Sequence, residues 1–165
     1  MIFTFVPTFA GSLGVNRVAP FALAYSLAAL MVRAVGGQLV DTLGRRAVII
    51  PALGLQTGAV VLLAVSPGLA VQLLPPAVLL SLAGVLGGIA HGFLYPALTA
   101  LVVDAASLAQ RGRLLGLFSA CMLAGQAAGA MGFGVVAHHL GYVWMFGLLA
   151  VILAGAVLLS ARLSR

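Results

Sequence analysis

The sequence predicts an all-α protein, a polytopic transmembrane helical bundle, and three observations carry that prediction. Hydrophobic residues make up 64% of the 165 positions and charged residues 6%, against about 25% charged in an ordinary soluble domain. The mean hydropathy is +1.26. Long apolar stretches alternate with short breaks of Pro, Gly and Arg, and in lipid each stretch must satisfy its own backbone, which a helix does. The same features exclude a soluble globular domain, a disordered chain and, with Cys121 the single cysteine, a disulfide scaffold. A membrane β-barrel needs segments of roughly ten residues with alternating polarity, and the sequence has none.

Residues 1–13 are apolar over about half the roughly 20 residues that a helix needs to cross a bilayer. This stretch reads as the outer half of a span. A secretory signal peptide is the other reading, but no basic residue precedes the apolar stretch. Full spans are expected at about 18–40, ended by Asp41 to Arg46, and at about 47–65, ended by Ser66-Pro67-Gly68. Three more are expected at about 76–103, 114–137 and 143–161. Their breaks are Asp104 to Arg113, then His138-His139-Leu140-Gly141, then Arg162 and Arg165.

All eight basic residues are Arg, and six stand in three groups: Arg45 with Arg46, Arg111 with Arg113, Arg162 with Arg165. The groups fall in alternate connections, so they share one side, which the positive-inside tendency assigns to the cytoplasm together with the carboxyl terminus. Tyr142 and Trp144 begin the last span on the opposite side, as an interfacial aromatic belt requires. Short basic loops between apolar runs form no groove for phosphates, so nucleic acid is not a partner. The partner implied by composition is the lipid bilayer.

Residues 134–142 echo residues 37–45. Gly37 falls on Gly134, Asp41-Thr42 on His138-His139, and Leu43-Gly44 on Leu140-Gly141. The two stretches end the second and fifth segments, on opposite faces of the membrane. A 3+3 inverted repeat is built this way and is characteristic of secondary transporters.

Gly37-x-Leu39-x-Asp41-x-x-Gly44-Arg45-Arg46 between two spans resembles the signature loop of the major facilitator superfamily. Gly92-Phe93-Leu94-Tyr95-Pro96 leading to Asp104, then Arg111-Gly112, is similar to that family's tenth span and following loop. Gly141-Tyr142-x-Trp144-x-Phe146 resembles the entry to its twelfth. Thr42 stands where many members carry Arg. The resemblance covers nearly the whole chain and matches the carboxyl half of a twelve-span member, from part of span seven to span twelve. It implies half of a major-facilitator fold whose first helix is truncated, with an amino-terminal transporter half as the absent partner. It implies secondary active transport of a small organic solute by alternating access, with proton-linked efflux the commoner mode, and no enzymatic activity. A non-transporting fragment of a split transporter is an alternative, and a small oligomeric channel is another.

The resemblance also implies a cytoplasmic gating loop of Gly37, Asp41, Gly44, Arg45, Arg46, Asp104, Arg111 and Arg113. In it Asp41 faces the amino-terminal end of the helix starting near Arg113, where the helix dipole favours a carboxylate. Asp104, the other acid, pairs with Arg45 or Arg46. The plainer alternative is a solvated turn with topogenic arginines.

Candidate residues for a substrate or proton cavity lie deeper. Arg33 precedes Asp41 by eight residues, about 12 Å along a helix, near the bilayer middle. It either contacts an anion or substrate, or hydrogen-bonds inside the bundle. Ser26 is two turns earlier on almost the same face, and Tyr25 adjoins it. His91 and Tyr95 are four apart on one helix, and His91 titrates near neutral pH, which makes it a candidate proton carrier. Gln126, Gln56 and Thr57 are mid-span polar residues that line a cavity or join helices. Gly84, Gly88 and Gly92 form one small-residue packing face, Gly125 and Gly129 another. Phe3, Phe5 and Phe9 are expected in lipid or core, and Cys121 in inert packing. His138-His139 lack further ligands, so no metal is implied. The chain has no Lys, hence no phosphate-binding Lys loop and no cofactor.

Overall fold

The computed structural model describes the backbone of residues 2–163, with side chains except at 35, 37–41, 43, 45, 46, 71, 72 and 163. Six helices follow one another: α1 (Ile2–Ser12), α2 (Ala19–Leu43), α3 (Arg45–Gln72), α4 (Pro76–Asp104), α5 (Arg111–Leu140) and α6 (Tyr142–Leu163). Among the described residues, α3, α4, α5 and α6 are each long and apolar enough to cross a bilayer. The described apolar stretch of α2 is Ala19–Ala34, within a helix of 25 residues. Pro75 and Pro76 open α4, where a missing N–H costs nothing.

The expected stop at Ser66-Pro67-Gly68 is not a stop. Helix α3 continues through Pro67 to Gln72. A proline inside a helix deprives the carbonyl four residues earlier of its partner, here Leu63. The buried Ser66 hydroxyl donates to that carbonyl at 2.8 Å. The defect that Pro67 creates is therefore repaired by its own neighbour, and a buried side chain ties the repair to the core.

Two glycines end helices in the same way. Gly44 separates α2 from α3 at φ 84°, and Gly141 separates α5 from α6 at φ 86°. Non-glycine residues rarely enter this region. The two positions are those that the sequence echo pairs, so the echo marks one backbone break used twice.

Packing is organised around α4, which lies between α2 and α3, while α6 lies against α3. Between membrane-embedded helices there is little hydrophobic driving force, and close approach through small residues supplies the adhesion. Gly84, Gly88 and Gly92 form that surface on α4. A Cβ on Gly84 would come within 2.7 Å of the Phe21 carbonyl oxygen, and one on Gly92 within 2.8 Å of Val32. At Gly88 it would run into the Tyr25 carbonyl oxygen. The backbones of α2 and α4 thus touch along two helical turns.

One core cluster joins Val6, Phe9 and Ala10 of α1 to Phe21, Val60, Leu63, Leu80, Met145 and Phe146. Phe9 meets Phe146 edge-on at 5.1 Å. A second cluster joins Val48 and Ile49 of α3 to Ala97 of α4. Helix α5 packs on α4 and α6 yet buries none of its residues. The second glycine seam, expected at Gly125 and Gly129, is accordingly not formed within this chain at Gly125, where a Cβ meets nothing within 4 Å.

Gly88→Val is expected to destabilise the bundle by about 1–3 kcal/mol, the usual cost of overpacking. Gly125→Val is expected to leave stability unchanged. Thermal unfolding of the two variants in the same detergent checks both.

Candidate solute cleft between α2 and α4

The glycine seam brings α2 so close to α4 that the Tyr25 ring lies over Gly87. A Cβ there would stand 3.4 Å from the Tyr25 ring. From this position Tyr25 reaches His91, with ring centres 6.1 Å apart and planes at 39°. His91 in turn stacks on Tyr95 at 6.2 Å and 22°. Phe3 of α1 closes one end of the row, edge-on to Tyr25 at 4.4 Å. Tyr95, at the other end, is 41% exposed.

Arg33 belongs to the same place. It follows Val32, which packs on Gly92 within one turn of Tyr95, and Arg33 itself is exposed. At about 100° per residue, Ser26 and Arg33 fall on one flank of Tyr25, while Ala28 and Met31 fall on the other. Ser26 is exposed as well. Of the cavity candidates, the fold therefore gathers Tyr25, Arg33, His91 and Tyr95, with Ser26 on the same flank. Gln126 is exposed on α5 and makes none of these ring contacts. Thr57 donates to the Leu53 carbonyl of its own helix at 2.8 Å, and Gln56 is half-buried beside it.

Around the cleft, Pro96 sits inside α4 and removes the partner of the Gly92 carbonyl. Thr99 donates to the Tyr95 carbonyl at 2.8 Å, within the same turns. An opening of about 380 Å³ lies on the other flank of α2 and is lined by apolar groups such as Met31, Val32, Ile89 and Phe93. No polar group there could orient a solute, whereas the Arg33 flank carries polar side chains.

The gating-loop residues fall at helix ends. The side chains of Asp41, Arg45 and Arg46, and the surroundings of Gly37, lie outside the described residues. Gly44 is the left-handed break already described. Asp104 is the exposed last residue of α4, and Arg111 and Arg113 are exposed in the first turn of α5. Cations at a helix amino terminus oppose its dipole, so topology rather than helix electrostatics places these two arginines. His138 and His139 meet edge-to-face at 5.0 Å and are exposed. Among the described residues no group of three or more His, Cys, Asp or Glu could hold a metal. Cys121 is exposed rather than packed inside the bundle.

Two contributors escape a reading of single residues. Phe3 caps the row of rings, and Gly87 makes room beneath Tyr25. The Gly87-Gly88 doublet is the sequence signal for the second; nothing local marks the first.

Apolar helices of membrane-spanning length arranged as a bundle define a multi-pass membrane protein. The chain matches the Major Facilitator Superfamily over residues 1–165. It belongs to that family, and its six-helix bundle accords with half of a major-facilitator fold. It is a membrane transporter protein of the major facilitator type. No curated protein and no solved structure matches it.

Arg33→Leu is expected to favour insertion of α2 into the membrane by about 3 kcal/mol on the biological scale and to leave the bundle's thermal midpoint in place. Glycosylation-based insertion assays and thermal unfolding measure the two. A lowered midpoint would instead make Arg33 a structural strut.

Proposed function

We propose that this chain forms one six-helix half of a secondary active transporter in the cell membrane, with its carboxyl terminus in the cytoplasm. The half moves a small organic solute by alternating access, rocking against an amino-terminal six-helix partner. Proton-linked efflux is the mode proposed, with His91 as the proton carrier.

The observation that carries this reading is the unlike exteriors of α5 and α6. Exposed positions along the middle of α5 include a run of small residues, Gly116, Ser119, Ala120, Ala124, Gly125, Ala127 and Ala128, with Leu117, Leu123 and Met131 between and beyond them. Those of α6 are large: Trp144, Leu148, Val151, Ile152, Leu158 and Leu159. Small residues let another helix approach, whereas bulky apolar ones suit lipid chains. An uncovered, small-residue helix spanning the membrane supports a protein partner on that side. The Arg33 cleft supplies the polar groups that a solute needs at mid-depth, where transporter sites lie.

The alternating Arg groups support the cytoplasmic placement of residues 45, 111 and 162. At that face we propose that Asp41 and the amino-terminal turn of α5 at Arg113 latch in one state and part in the other. The Arg45-Arg46 pair and Asp104 complete the latch. The two breaks at Gly44 and Gly141 lie at opposite faces, where a rocking bundle needs its sharp turns.

Reconstituted alone in proteoliposomes, the chain is expected to give no saturable flux. With the amino-terminal half of a full-length family member, saturable flux appears and responds to a proton gradient. His91→Gln is expected to retain flux and lose the response to the gradient. Saturable flux by the chain alone would rule out the half-transporter reading, and ohmic conductance would point to a channel.

A further inference from the structure

We propose that the cleft between α2 and α4 selects organic anions carrying a flat ring. The carboxylate of such a solute lies on Arg33, and its ring lies against the Tyr25-His91-Tyr95 row. This rests on the cleft being the solute site and goes further by naming the solute's chemistry.

The charge side follows from where the acids are. The whole chain contains two, Asp41 and Asp104. Asp41 lies about 12 Å along α2 from Arg33, and helical side chains lean toward the amino terminus, which turns Arg33 away from it. Asp104 closes α4, nine residues beyond Tyr95, about 14 Å further along the axis. Among the described residues no carboxylate therefore stands at the level of Arg33. A guanidinium at this depth is costly unless an anion, a carbonyl or water meets it. Lipid headgroups sit at the helix ends, and Leu43 is the nearer end of α2, about 15 Å away. A carboxylate delivered by a solute meets the guanidinium fork with charge-assisted hydrogen bonds. A cationic solute finds no acid there and a fixed positive charge against it, which is selection by repulsion.

The ring side follows from geometry. Tyr25 and His91 are tilted by 39°, His91 and Tyr95 by 22°. The three rings thus form a continuous row of contacts from Phe3 to the exposed Tyr95. A flat solute stacks on the open end of such a row at little conformational cost. Val32 packs on Gly92, so Arg33, the next residue of α2, stands within about one turn of the level of Tyr95, and cation and rings serve one ligand. Ser26, on the Arg33 flank, adds a hydroxyl for a second solute oxygen.

Equilibrium binding of radiolabelled benzoate, benzamide and benzylamine to the full chain in lipid nanodiscs tests this. Benzoate is expected to bind at least about tenfold more tightly than benzamide, the worth of one charge-assisted hydrogen bond, with benzylamine weakest. Arg33→Gln is expected to make benzoate and benzamide equal, Arg33→Lys to keep part of the preference, and Tyr95→Ala to weaken both alike. If Arg33→Gln fails to fold, the wild type and Arg33→Lys, which both keep the cation, decide. Equal binding of benzoate and benzamide by the wild type, no binding of any probe, or preference for benzylamine overturns the proposal. Charge-selective binding without flux in the assembled transporter leaves the proposal standing and removes the transport reading. Saturable flux of benzylamine does the reverse.

Discussion

Close backbone contact between α2 and α4 is the constraint on which the rest depends. Three glycines at four-residue spacing, Gly84, Gly88 and Gly92, leave no room for a Cβ against Phe21, Tyr25 and Val32. Because lipid offers little hydrophobic reward for helix association, this fit must come from shape. It fixes the register of α2 on α4, and that register decides which side chains meet. Tyr25 lands over Gly87 and beside His91; Arg33, two turns further along α2, follows Val32, which packs on Gly92. A shift of one turn would place Arg33 elsewhere and leave the row of rings without its cation.

The chain divides its exterior by residue size. Helix α6 offers large apolar side chains, with Trp144 69% exposed near its start. Helix α5 offers more glycine, alanine and serine, interrupted by Leu117, Leu123 and Met131, and none of its residues is buried. A helix long and apolar enough to span the membrane that buries none of its residues leaves its packing surface open within this chain. The same logic explains why Gly125 meets nothing here although its sequence context is that of a packing seam.

Much of this was legible in the sequence. Helix number, helix order and most of the breaks between helices follow from apolar length and from Arg, Pro and Gly. The echo between residues 37–45 and 134–142 found the two left-handed breaks at Gly44 and Gly141. The spacing of Gly84, Gly88 and Gly92 gave the seam. What the sequence hid depends on tertiary register. Pro67 reads as a terminator until Ser66 is seen to satisfy the carbonyl that it orphans. The meeting of Tyr25 with His91 joins positions 66 residues apart, and no local pattern carries it. Phe3 read as core or lipid-facing because its contact with Tyr25 is made across two helices.

Cross-linking across the seam tests the central claim most directly. In the double variant Tyr25→Cys, His91→Cys, a short bifunctional thiol reagent has three targets: the two introduced thiols and the native Cys121 on α5. The account predicts a bridge between positions 25 and 91, with Cys121 modified singly, read by mass spectrometry of proteolytic fragments. A bridge from position 25 to Cys121, or no bridge at all in the folded chain, would contradict it.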